Sequence, residues 1–127
     1  MTPRLCAGLY LFVAIAPVGM AHHSTAPYDL VHGTTLEGEV TRFAWENPHA
    51  HIVLNVSGEG GKLEQWTIEI DGPGVLRRLG WTKDTLKAGD RITVAGARAK
   101  NGSFNLKALT IQLLDGREML AVPKPEN

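Results

Sequence analysis

Five histidines occur in this chain of 127 residues, and four of them form two tight pairs, His22-His23 and His49-Ala50-His51. A deprotonated imidazole is a ligand for late divalent metals. His49 and His51 stand two apart at the start of an alternating segment, a spacing that sends both rings to one face of a strand. The other face carries Ile52, Leu54 and Val56, which keeps the pair off the core. His22-His23 follow a positive Arg4, a short apolar run from Leu5 to Val18, and small residues at Gly19 and Ala21. That three-part pattern is a secretory signal, and its apolar run is too short for a membrane span. Cleavage after Ala21 would put a free amine on His22, so that amine and imidazole form a chelate and His23 adds a nitrogen. Nitrogen donors without thiolate suit Cu(II), Ni(II) or Zn(II), and Cu(II) leads in intrinsic affinity. The expected metal site is therefore His22, His23, His49 and His51.

Each pair also has a plainer reading. His-His after a cleavage point can be ordinary hydrophilic sequence, and Asn47-Pro48-His49 can be a strand-entry turn whose imidazole holds a carbonyl. His32, beside Gly33, reads as a solvated loop residue. Trp45, Trp66 and Trp81 could stack sugars or bases. Trp66, however, shares an apolar face with Ile68 and Ile70, Trp81 follows a helix-ending glycine and suits a barrel plug, and Trp45 can shield the histidines.

The elements that must position these groups follow from periodicity. Residues 22–33 lack a period and read as an extended arm. From Thr34 to Phe43 apolar and polar residues alternate, which predicts a half-buried strand. Asn47-Pro48 breaks it, and further strands are expected near His49 to Val56 and Leu63 to Ile70, joined by a glycine-rich turn. Val75 to Leu79 fits a short helix stopped by Gly80, and Thr82 to Leu86 a further helical turn. Two strands complete the order, Arg91 to Ala97 and Asn105 to Leu114. Three strands, a helix and two strands predict an all-β fold: a five- to six-stranded OB-like Greek-key barrel with one short helix between strands 3 and 4. The expected boundaries are a signal at 1–21, an arm at 22–33, the barrel at 34–122 and a loose tail at 123–127.

Composition narrows the function. Thirteen basic residues balance thirteen acidic ones, and the basic residues are scattered apart from Arg77-Arg78. Without a clustered electrostatic footprint, no nucleic-acid partner is expected. The one cysteine, Cys6, lies in the signal, so no disulfide or thiolate ligand is expected in the mature chain. No second long apolar run suggests a membrane span. Glu64 and Glu69 fall on opposite faces by parity, and neither a nucleophile elbow nor a phosphate loop occurs. The chain reads as a binding protein and not an enzyme, with metal-dependent redox chemistry the one exception left open.

The ordered motifs carry a resemblance. Ala21-His22-His23-Ser24, Gly38-Glu39-Val40, Trp45-Glu46-Asn47-Pro48-His49, Leu76-Arg77-Arg78-Leu79-Gly80-Trp81-Thr82, Leu86-Lys87-Ala88-Gly89-Asp90 and Asp115-Gly116-Arg117-Glu118 resemble a family of small exported bacterial proteins of unknown function. Its members start with His-His-Ser and carry Trp-x-Asn-Pro-His. The resemblance implies a periplasmic or secreted single-domain β-protein and supplies no activity. His22, His23 and His49 match its motif, whereas Thr25 and His51 stand where an aromatic is common. A looser likeness, in fold alone, is to the periplasmic copper chaperone of the silver/copper efflux system. The expected function is binding of a late divalent metal, Cu(II) first. The alternative is a module that holds an envelope protein, peptide or glycan through barrel loops and Trp45.

Overall fold

The computed structural model describes residues 27–124. The expected signal, its cleavage point, His22 and His23 lie outside the described residues, as do the last three residues of the expected tail. The elements in order are β1 (Tyr28–Ala44), β2 (His51–Ser57), β3 (Leu63–Glu69), α1 (Pro73–Arg78), β4 (Arg91–Ala99), β5 (Asn105–Leu113) and β6 (Glu118–Leu120).

Neighbouring strands follow the order β3-β2-β1-β4-β5-β6, and a further pairing of β3 with β5 closes the first five into a barrel. That closing pair is parallel and joins residues 67–69 to residues 105–107. All other pairings are antiparallel. This is an OB-like barrel with its single helix between β3 and β4, as the order of elements predicts.

Alternation builds the core directly. On β2 and β3 the register pairs Ile52 with Ile68 and Leu54 with Trp66, all facing inward, while His51, Val53 and Asn55 face out. Gly96 lets β4 and β5 close on each other at a bulge: a Cβ there would strike the Lys107 carbonyl. α1 starts with Pro73 in its first turn, where the missing N–H costs nothing. It sends fully buried Leu76 inward at one barrel end. Trp81 seals that end, 1% exposed, with its indole N–H donating to the Leu120 carbonyl at 2.8 Å.

Two local expectations differ from the fold. Residues 28–33, read as arm, belong to β1. Their alternation is hidden because the register against β4 shifts between Tyr28 and Gly33. Asp29 there accepts the backbone N–H groups of Val31 and His32. Residues 82–86 make a hydrogen-bonded turn through Thr82 and Thr85, not a helical one. The chain past Leu114 forms β6, the sixth strand of the expected five to six, and then docks Ala121 against Leu109. Among the described residues no helix is long and apolar enough to cross a membrane.

Candidate functional site

The end of β3 carries a cluster of polar side chains on the barrel wall. Glu69 follows inward-facing Ile68 and so projects outward at the closing seam, with His51 of β2 and Lys107 of β5 as its register partners. Lys107 Nζ donates to Glu69 Oε1 at 3.4 Å, and Tyr28 Oη donates to Oε2 at 3.0 Å. His49 Nδ1 lies 3.1 Å from Oε1. Residues from three other segments therefore meet on this one carboxylate.

His49 stands one residue pair beyond the end of β2. Ala50 continues the ladder by accepting the N–H of Ile70 and donating to the Asp71 carbonyl. This sets the imidazole diagonally across from Glu69, within same-face reach. Gly72 packs so closely under the Pro48 carbonyl that a Cβ would overlap it, which fixes the loop ahead of His49. A cavity of about 180 Å³ opens beside the cluster, lined by His49, Asp71, Lys107 and Val122.

Electrostatics marks one member. Burial pushes the Tyr28 phenol up to about 12, helped by its hydrogen bond to Glu69 and by that carboxylate's charge. Lys107 and Glu69 are both mostly buried and satisfy each other's charge.

The four expected metal ligands fare differently. His49 and His51 leave the chain on the outward side, as parity requires, but turn to different carboxylates: His51 Nδ1 lies 3.5 Å from Glu46 Oε1. Among the described residues no three His, Cys, Asp or Glu side chains gather as a metal-holding group. His22 and His23 lie outside the described residues. His32 is 81% exposed, its Nδ1 2.9 Å from Asp29 Oδ2.

Trp66 and Trp81 are buried as expected. Trp45 stacks edge-on against Phe43 and carries the Arg77 guanidinium 5.7 Å from its ring centroid, so it packs toward α1. Sequence reasoning missed Tyr28, Glu46 and Lys107, and weighed Glu69 only as an acid–base partner of Glu64. Only the acidic residue inside Trp45-Glu46-Asn47-Pro48-His49 gave a local signal for any of them.

The barrel is similar to crystal structures of the mitochondrial single-stranded DNA binding protein Rim1 from S. cerevisiae. One crystal form gives a TM-score of 0.50 at 14% identity, over 65% of this chain and 93% of that one. A second form gives 0.50 at 14%, over 74% and 98%. At this identity the likeness shows the fold. It also corrects the expectation that nucleic acid is excluded as a partner. The charge balance speaks only to an electrostatic footprint, whereas barrels of this kind also hold single strands by stacking bases on aromatic rings. No curated protein matches the chain. A family model matches residues 11–107, most of the sequence, and the chain belongs to that family, a family of unknown function (DUF6152).

Proposed function

We infer that the chain is an exported OB-type protein that binds a late divalent metal, Cu(II) foremost. His49 and His51 serve as ligands from the barrel, and His22 and His23 of the mature terminus complete the set. The observation that carries this reading is the carboxylate beside each barrel imidazole. Glu69 lies at the Nδ1 of His49 and Glu46 at the Nδ1 of His51. Metal-bound histidines commonly keep such a carboxylate at the second ring nitrogen, which fixes the tautomer and raises ligand basicity. Coordination then falls to Nε2. The two barrel imidazoles alone leave a metal under-coordinated, which is why the terminal pair belongs to the reading.

The test is a Cu(II) titration of two purified forms, one beginning at His22 and one with an extra residue ahead of it, followed by electron paramagnetic resonance. A nitrogen-rich signal lost or altered by the extra residue, and weakened by His49→Ala, supports the site. Affinity that survives His22→Ala together with His49→Ala removes it.

A second reading takes single-stranded nucleic acid as the ligand, as in the DNA binding proteins of similar fold. The observation in its favour is Arg77 poised over Trp45 beside Arg78, an aromatic ring with adjoining positive charge. Anisotropy of a labelled oligothymidylate should rise with protein, fall with salt, and weaken in Trp45→Ala.

A further inference from the structure

One barrel end is sealed by α1 and Trp81; the other is a concave mouth. It holds a cavity of about 540 Å³, bordered by Thr35 of β1, Val56 and Ser57 of β2, Glu64 of β3, Arg98 of β4 and Phe104 before β5. That volume is within the range of small-molecule sites, which favour the mouths of β-barrels. It lies at the opposite end of β2 from His51, about 20 Å away at strand rise.

Trp66 underlies the mouth, 3% exposed, with its ring centroid 5.2 Å from that of Phe104. Two charged groups are fixed on this one indole. Arg98 lies over its face, the guanidinium carbon 4.9 Å from the centroid. Glu64 accepts the indole N–H at 3.0 Å. Arg98 and Glu64 form no ion pair with each other. Of the five guanidinium donors, only Nη2 has a hydrogen-bond partner among the described residues, the Gly102 carbonyl at 3.1 Å. Nε is enclosed and unpaired. The mouth therefore holds a positive and a negative pole apart, with Phe104, Leu36 and Val56 as apolar wall between and around them.

Charge decides which ligand fits. Glu59 adds a carboxylate at the rim beside Glu64, and Glu37 a further one paired with Arg91 at 3.4 Å, so a polyanion is disfavoured at Arg98. A simple cation leaves the guanidinium without an acceptor, and a neutral sugar leaves both poles without a counter-charge. A molecule with one carboxylate, one ammonium and apolar substance between them gives both poles a counter-charge. We propose that the barrel mouth binds short zwitterionic peptides of two or three residues, the C-terminal carboxylate on Arg98 and the N-terminal ammonium on Glu64. This site is separate from the histidine cluster and independent of metal.

The test uses the full chain, labelled with ¹⁵N, and tri-L-alanine as probe. The Trp66 indole N–H resonance should shift saturably while that of Trp81, at the sealed end, stays in place. N-acetylation or C-amidation of the peptide should each weaken binding at least tenfold. Arg98→Gln and Glu64→Gln should do the same, and Glu64→Gln keeps an oxygen for the Trp66 indole and hence the fold. Equal shifts with doubly capped peptide, or with maltotriose, would overturn the assignment, as would an unmoved Trp66 resonance at millimolar tri-alanine. The capped peptides decide the matter even if Arg98→Gln does not fold.

Discussion

The Tyr28 hydroxyl donates to Glu69 across 41 positions of sequence, and so fastens the first residue of β1 to the last residue of β3. The phenol is neutral in this arrangement, and both burial and the neighbouring carboxylate resist its ionisation.

A pH dependence follows. In the unfolded chain a tyrosine ionises near pH 10, whereas Tyr28 in the fold does so at about 12. The unfolded state therefore releases this proton first as pH rises. The stabilisation is fully present below pH 10 and is lost between about pH 10 and 12. Urea unfolding of Tyr28→Phe should lose that part of the alkaline slope, and the difference in phenolate absorbance between the two proteins should titrate near 12. Identical slopes in both would detach Tyr28 from Glu69.

Glu69 is the hub of its cluster, so its replacement should be felt twice. Glu69→Ala leaves mostly buried Lys107 without its counter-charge, at a cost of about 1–3 kcal/mol in denaturant unfolding. On the metal reading, Glu69→Gln should also lower Cu(II) affinity about 10- to 100-fold, the usual effect of removing a ligand's supporting carboxylate. Substituting exposed His32 by alanine should leave affinity unchanged.

Two glycines two positions apart should respond in opposite directions. Gly72→Ala drives a methyl into the Pro48 carbonyl and should cost about 1–3 kcal/mol while displacing His49. Gly74→Ala, inside α1 with nothing near its Cβ position, should stabilise by about 0.5–1 kcal/mol. Thermal melts of the two variants settle the pair.

Trp81 closes a barrel end through both volume and a hydrogen bond. Trp81→Ala should cost roughly 3–5 kcal/mol. Trp81→Phe keeps most of the ring and loses the bond to Leu120, and should cost about 1–3 kcal/mol. Denaturant midpoints that rank the two variants in reverse would contradict the plug.

Much of the barrel was legible because it is written locally. Ile52-Leu54-Val56 and Trp66-Ile68-Ile70 alternate without interruption, so strand faces and the inward place of Trp66 follow from parity alone. The start of β1 was not legible, since the register shift between Tyr28 and Gly33 breaks the period that would reveal it. Parity put His49 and His51 on the outer face, yet it cannot say which carboxylate each ring meets. Glu69 draws partners from positions 28, 49 and 107, and such encounters are set by barrel closure, not by neighbouring residues. The overall charge balance likewise could not decide whether nucleic acid is a partner, because it carries no record of fold.

The parallel pairing of residues 67–69 with residues 105–107 also governs how the chain assembles in time. A polypeptide delivered from its N-terminus can form the β1–β2–β3 meander early, but β3 keeps one bare edge until Lys107 has arrived. That interval is when strand-to-strand association between molecules is easiest. Closure then depends on contacts far apart in sequence, which places folding in the millisecond-to-second range typical of small β-barrels. A late-emerging strand, β5, thus acts as the domain's own protection against aggregation.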